Sequence, residues 1–206
     1  MRKLLSFAAA IAVLGVAGVA GAAKPAAVTI SAAKPIVVYG HTVKLSGKVG
    51  NHNPGEQVIV LGKAYGQPAF TPVQNVATTT GGAWAYQASP QIETAYEVQW
   101  GTATSSTVTV KVRPKIMLTL VSRTARKGTF GVQVQGARSF EGKRVLVERL
   151  TVSGPTTVKR VVLDSSSSAT FTLRLPKTRS RVRVVMPVSQ AAPGYLAGYS
   201  NVWKSS

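Results

Sequence analysis

Arginine is the residue in this chain best placed to do chemistry, and the chemistry it offers is capture of oxyanions. Arg144, Arg160, Arg181 and Arg183 recur at alternating positions of apolar runs, and Arg123, Arg126 and Lys127 follow one another closely. A guanidinium presents a planar fork of donors that matches carboxylate, phosphate and sulfate oxygens two at a time. The residue types needed for other chemistries are scarce. His41 and His52 are the only histidines, each in or beside a turn-forming stretch, and they read as solvated turn residues instead of general bases. The carboxylates are Glu56, Glu93, Glu97, Glu141, Glu148 and Asp164, and the first four fall in turns or at strand starts. Paired-carboxylate hydrolysis needs two acids flanking one site. No such pair is expected, so the chain is read as non-catalytic, with no cofactor.

Metal sites are disfavoured by the same inventory. Zinc needs clustered His and Cys, and the chain has two His and no Cys. Calcium at a junction between β-domains needs several carboxylates, whereas the central stretch carries Lys111, Arg113 and Lys115. The glycine pairs, including Gly81-Gly82, open no helix, so no phosphate-cradling loop is expected.

The elements that must position the arginines are short strands, and the chain writes the same strand plan twice. GEQVIVL at Gly55–Leu61 returns as GKRVLVE at Gly142–Glu148, and AWAYQA at Ala83–Ala88 returns as TFTLRL at Thr170–Leu175, both 87 positions on. Two matches at one offset mean one structural unit used twice. In the first unit a broken strand, Val28–Ile30 and Ile36–Val38, precedes strands at Thr42–Val49, Gln57–Leu61, Val73–Thr80, Trp84–Ala88, Tyr96–Gly101 and Val108–Val112. Gly81-Gly82 reads as a hairpin turn. In the second, strands fall at Ile116–Val121, Gly128–Val134, Lys143–Leu150, Val158–Leu163, Ala169–Leu175, Arg181–Met186 and Tyr199–Trp203. Short strands with turns at roughly ten-residue spacing predict an all-β fold of two tandem sandwiches, residues 28–112 and 113–206. Pro114 biases the join towards an extended, semi-rigid connection.

Residues 1–22 read as a signal peptide: Arg2 and Lys3, an apolar run Leu4–Val19, then the small-residue pattern Ala20-Gly21-Ala22. A Pro/Ala-rich leader, residues 23–27, follows. Export without cysteine leans towards a bacterial extracellular protein, secreted or held non-covalently at the wall, with no membrane span after cleavage.

Charge divides unevenly between the units. Ala26–Val112 holds five Lys/Arg against three Asp/Glu, a net of +2, and Arg113–Ser206 holds seventeen against three, a net of +14. Such a balance speaks of partners and solubility and not of fold. If Val145/Val147, Val161/Leu163 and Val182/Val184 point inward, Arg144, Arg160, Arg181 and Arg183 point out. On one shared sheet they would converge, with Glu148 a partial counter-charge and Arg123, Arg126 and Lys127 a second cluster. The partner expected is an anionic wall polymer or polysaccharide; export and the lack of interleaved aromatics on that face disfavour nucleic acid. The first reading of that face is still a charged surface that keeps an edge-rich β protein soluble and unaggregated, with capture of an anionic polymer as its rival.

TVKLSGKV at Thr42–Val49, GEQVIVL at Gly55–Leu61, TTTGGAWAY at Thr78–Tyr86 and TAYEVQW at Thr94–Trp100 together resemble the immunoglobulin-like and fibronectin type III-like repeats of secreted and surface proteins of Gram-positive bacteria. That resemblance implies that both sandwiches are immunoglobulin-like β-sandwich domains, with a structural, adhesive or binding role and a corner in which the Tyr96 hydroxyl bonds the backbone. Trp84, Tyr86, Tyr96 and Trp100 fit inward-facing positions and are expected in the core. Tyr65, Phe70 and Tyr195, in Pro/Gly-containing loops, are expected to offer exposed contacts.

Overall fold

The computed structural model describes residues 27–176 and 179–205. The signal-peptide and leader readings lie outside the described residues, apart from Ala27. Among the described residues no helix is long and apolar enough to cross a membrane.

The first half contributes β1 (Ser31–Ala32), β2 (Ile36–Val38), β3 (Val43–Lys48), β4 (Gln57–Ala64), β5 (Thr71–Ala77), β6 (Ala83–Ala88), β7 (Thr94–Trp100), β8 (Ala103–Thr104) and β9 (Val108–Arg113). One sheet has the order β1-β3-β6 and the other β2-β9-β7-β4-β5, with β8 beside β7. Alternation decides what each strand buries: Val43 and Leu45 from β3, Val58 and Val60 from β4, Tyr96 and Val98 from β7, Val110 and Val112 from β9 all face the core.

The second half contributes β10 (Lys115–Arg123), β11 (Lys127–Gln135), β12 (Arg144–Thr151), β13 (Gly154–Val162), β14 (Ser168–Arg174), β15 (Arg181–Met186), the single helical turn α1 (Val188–Ala191), β16 (Gly198–Tyr199) and β17 (Trp203–Lys204). Its sheets are ordered β10-β11-β14 and β13-β12-β15-β16, with β17 also on β15. Each half is thus two facing sheets with the strand order of an immunoglobulin-like sandwich. Displacing β4 by 87 positions lands on β12 end for end. The aromatic core of the second half is Phe130 stacked on Phe171 at 5.8 Å, with Trp203 edge-on at 5.0 Å.

One turn reading and one strand reading need correction. Gly81-Gly82 closes no hairpin, because β5 and β6 belong to different sheets. The pair forms a 3-10 turn, Thr80–Gly82, that carries the chain across the sandwich. Gly82 has φ +67, and a Cβ there would meet the backbone of His52 at 2.8 Å, so glycine is required for conformation and for space. The expected strand Tyr199–Trp203 is two pieces. The Asn201 side chain interrupts it: its Oδ1 accepts the Leu118 N–H at 2.9 Å and its Nδ2 donates to the Leu118 carbonyl at 3.0 Å. A side-chain amide here takes the place of a backbone partner for β10.

Trp84 and Tyr96 are buried, while Tyr86 and Trp100 are partly buried against the same core. The corner implied for Tyr96 is not formed: among the described residues its hydroxyl makes no backbone hydrogen bond, and the side chain points into the core. Burial pushes its phenol up to about 12, with the Thr94 hydroxyl acting the other way and Tyr86 adding to the rise. An unfolded tyrosine titrates near 10. Above about pH 10 the unfolded chain releases a proton that the folded chain keeps, so this contribution is complete below about pH 10 and declines as the pH rises towards 12. The urea midpoint is therefore expected to fall between about pH 9.5 and 11.5 more steeply in the native chain than in Tyr96→Phe. Parallel curves for the two proteins would refute the assignment.

Candidate functional site

β12, β13 and β15 do share one sheet, but their register divides the four arginines expected to converge. Arg160 stands opposite Leu146, and Leu146 opposite Val185, so apolar side chains separate the cations on that face. Arg144 opens β12 and Arg181 opens β15; because the strands are antiparallel, the two lie at opposite ends of the sheet. Arg183 stands opposite Glu148, and its Nε donates to Glu148 Oε2 at 2.8 Å. Its guanidinium also lies 5.3 Å from the centre of the Tyr199 ring, which Arg113 approaches at 5.4 Å. Arg183 is already engaged, leaving Arg144 and Arg160 as separate exposed cations.

The charge gathers instead at the end of the second half remote from the first, which is here called the pole. Lys127 pairs in register with Arg174, and the Arg126 carbonyl accepts the Leu175 N–H at 2.9 Å. Arg123 lies opposite Gly128 at the same strand ends. Across the sandwich, Arg149 Nη2 donates to the Arg174 carbonyl at 2.9 Å, tying one sheet to the other. Arg149 is opposite Val182, and the neighbouring Arg181 is opposite Lys204. The pole therefore collects the expected Arg123, Arg126, Lys127 and Arg181 together with Arg149, Arg174, Arg179 and Lys204, which the sequence reading missed. Each missed cation sits within two residues of a strand end, and only the pairing order reveals that those ends coincide.

Of the three carboxylates of the second half only Glu148 comes near this end, and it is already paired. Glu148 is bound to Arg183. Asp164 and Glu141 lie at the other end of the sandwich, where Asp164 Oδ1 accepts from the Ser166 hydroxyl and the Ser166 and Ser168 N–H groups. Those hydrogen bonds hold the Asp164 carboxyl below its usual range.

The end opposite the pole is where the two halves meet. β9 ends at Arg113 and β10 begins at Lys115, with buried Pro114 between them. Tyr195, expected to be exposed, is buried here, 3% accessible, because its neighbour is the other half of the chain. Its hydroxyl accepts the Ala137 N–H and donates to the Gln91 carbonyl, each at 2.6 Å, and its ring meets Phe140 edge-on at 5.6 Å. The Glu93 N–H donates to the Gly194 carbonyl at 3.0 Å and the Leu196 N–H to the Val112 carbonyl at 2.9 Å, while Arg113 Nη1 donates to the Ala197 carbonyl. Gly194 has φ +79, and a Cβ there would meet Ile92 at 2.5 Å. The loop between β15 and β16 thus clamps the first half through side-chain and backbone bonds together. Tyr65 stays half exposed beside Gly194, and Phe70 is partly buried under the Lys63 ammonium at 5.0 Å.

His52 has a ring nitrogen 3.4 Å from the Gly81 carbonyl, and its backbone is left-handed at φ 58. Glu56 receives the Asn51 amide at 2.8 Å and the Trp100 indole N–H at 3.0 Å, which hold its carboxyl below the usual range. These residues complete a turn. Among the described residues no group of three or more His, Cys, Asp or Glu could hold a metal ion.

No protein-family model matches the chain, and no curated protein matches it. Among solved structures, a tetra-tandem repeat from the extending region of a large adhesion protein is similar at 9% identity and TM-score 0.35, over 86% of this chain and 48% of that one. The native conformation of E. coli alpha-2-macroglobulin is similar at 10% identity and TM-score 0.32, over 86% of this chain and 14% of that one. The chain thus spans less than half the length of either.

Proposed function

We propose that this chain is an exported, non-catalytic envelope protein in which two immunoglobulin-like units, residues 28–112 and 113–206, divide the work. The second unit attaches to an anionic polymer of the cell wall, and the first is held outward on it as a structural or adhesive module. The observation that carries this reading is the division of charge, +2 against +14, across two halves clamped end to end through Tyr195 and the Val188–Ala197 loop. A clamped pair transmits position from one end to the other, which a catalytic role does not require and a spacer or adhesin does. The attachment is ionic and salt-sensitive.

Fractionating the native host into wall, membrane and medium tests the reading. The protein is expected in the wall fraction and is expected to be released by moderate salt. A chain found wholly in the medium at low salt, or retained unchanged in high salt, overturns it.

A further inference from the structure

We propose that the pole of the second unit is a binding site for a linear polymer carrying tetrahedral oxyanions, phosphate or sulfate esters, and that Arg149 at the mouth of the sandwich is its centre. The inference rests on the reading of the second unit as the attaching part and names where and what it binds.

Two observations beyond the gathering of charge point to a ligand. Arg149 shares the inward-facing alternation of Val145 and Val147, so its guanidinium sits at the open end of the core and not on the outer face. One of its nitrogens bonds the Arg174 carbonyl, while its Nε is buried without a hydrogen-bond partner among the described residues. A cation placed there with a donor unused, its neighbour Glu148 alternating to the other face and bound to Arg183, is costly to the folded protein, and an oxyanion would relieve that cost. Close by, a cleft of about 420 Å³ is lined by Arg179, Ser180, Arg181, Lys204 and Ser205. Ser180 is 3% accessible, and its Oγ is likewise buried without a partner. The Ser180 backbone is fixed on both sides, its N–H donating to Ser205 Oγ at 2.7 Å and its carbonyl accepting the Ser205 N–H at 2.8 Å. The cleft is therefore lined by cationic and hydroxyl side chains around a fixed backbone.

The ligand chemistry follows from the side chains. Six of the eight pole cations are arginine (123, 126, 149, 174, 179 and 181), and a guanidinium fork reads paired oxygens where an ammonium supplies only a point charge. The cations line both sheets' ends in succession, which suits repeated charges on a chain better than one small anion. Among the described residues the pole offers no aromatic platform for stacked bases: Trp203 packs on Phe130 in the core. Its exposed apolar side chains are isolated valines, Val152 at the β12–β13 turn and Val121, which give a lipid surface little to bury.

The test compares two full-length variants of equal charge change: Arg174→Glu with Arg181→Glu at the pole, and Arg144→Glu with Arg160→Glu on the sheet face. All four side chains are exposed, and an unchanged thermal midpoint verifies folding; Arg174→Gln with Arg181→Gln replaces the pole pair if it shifts. The probe is inorganic polyphosphate, titrated at several salt concentrations beside polyglutamate, double-stranded DNA and phosphatidylglycerol vesicles. The native protein is expected to bind polyphosphate more tightly than the other three. The pole variant is expected to lose roughly tenfold or more and to show a shallower salt slope, with the face variant losing roughly threefold or less. Equal losses in the two variants, or tighter binding to DNA, vesicles or polyglutamate, overturn the proposal. Failure here with wall retention intact leaves the proposed function standing. Intact polyphosphate selectivity with the protein free in the medium overturns the proposed function and leaves the pole.

Discussion

Replacing Tyr195 by alanine is expected to destabilise the protein by about 3–5 kcal/mol and to uncouple the unfolding of its two halves. The ring is buried against Phe140 with the Arg138 guanidinium 5.9 Å from its centre, so truncation removes packing that nothing nearby can replace. The hydroxyl loss leaves the Ala137 N–H and the Gln91 carbonyl without their partner, one in each half. Tyr195→Phe removes only those bonds and is expected to cost about 1–3 kcal/mol. Denaturation followed by tryptophan fluorescence separates the halves when run on two parallel backgrounds, Trp203→Phe, in which Trp84 and Trp100 report on the first half, and Trp84→Phe with Trp100→Phe, in which Trp203 reports on the second. In the native chain the two signals are expected to change together, and in Tyr195→Ala at distinct midpoints. Coincident transitions in the variant would show that the clamp does not couple the halves.

Phe130→Ala is the second large effect, again about 3–5 kcal/mol. Phe130 is fully buried, stacked on Phe171 and met edge-on by Trp203. Gly128 fits against the same ring: a Cβ there would stand 2.8 Å from it. Neighbours held this closely by two sheets relax little, so the cavity persists and its cost adds to the lost transfer free energy. The loss is large against a domain stability of about 5–15 kcal/mol. Because Phe130 and Trp203 lie beneath the strands that carry Lys127 and Lys204, the variant is also expected to shift Trp203 emission to longer wavelength. An unshifted emission with a native midpoint would place Trp203 outside this core.

The strand plan was readable because alternation is local. Val58 and Val60, or Phe171 and Leu173, declare an inward face within a few residues, and the offset of 87 carries that reading from one half to the other. Outward placement of Arg144 and Arg160 followed from the same rule. What alternation does not encode is which ends of which strands coincide. Arg149 and Arg174 are 25 positions apart and meet only across the sandwich, so a compositional search finds Arg181 and Arg183 as a pair and overlooks that one is neutralised by Glu148 while the other joins the pole. Tyr195 failed for a related reason: a Pro/Gly-containing loop reads as exposed, and its burial is supplied by Gln91, 104 positions away. Gly81-Gly82 signalled a turn correctly, but turn chemistry is silent on whether the chain returns to the same sheet.

The unequal charge of the two clamped halves has a mechanical corollary. A body with +2 at one end and +14 at the other is an electric dipole, and near a negatively charged surface it experiences a torque as well as an attraction. Screening confines that torque to about the last 8 Å of approach at physiological ionic strength. Through the bonds of the Tyr195 clamp the turn is passed from the second half to the first. Molecules would therefore land pole-first and stand upright, each occupying the footprint of one sandwich end and not of its flank, so that many could crowd side by side as a dense layer.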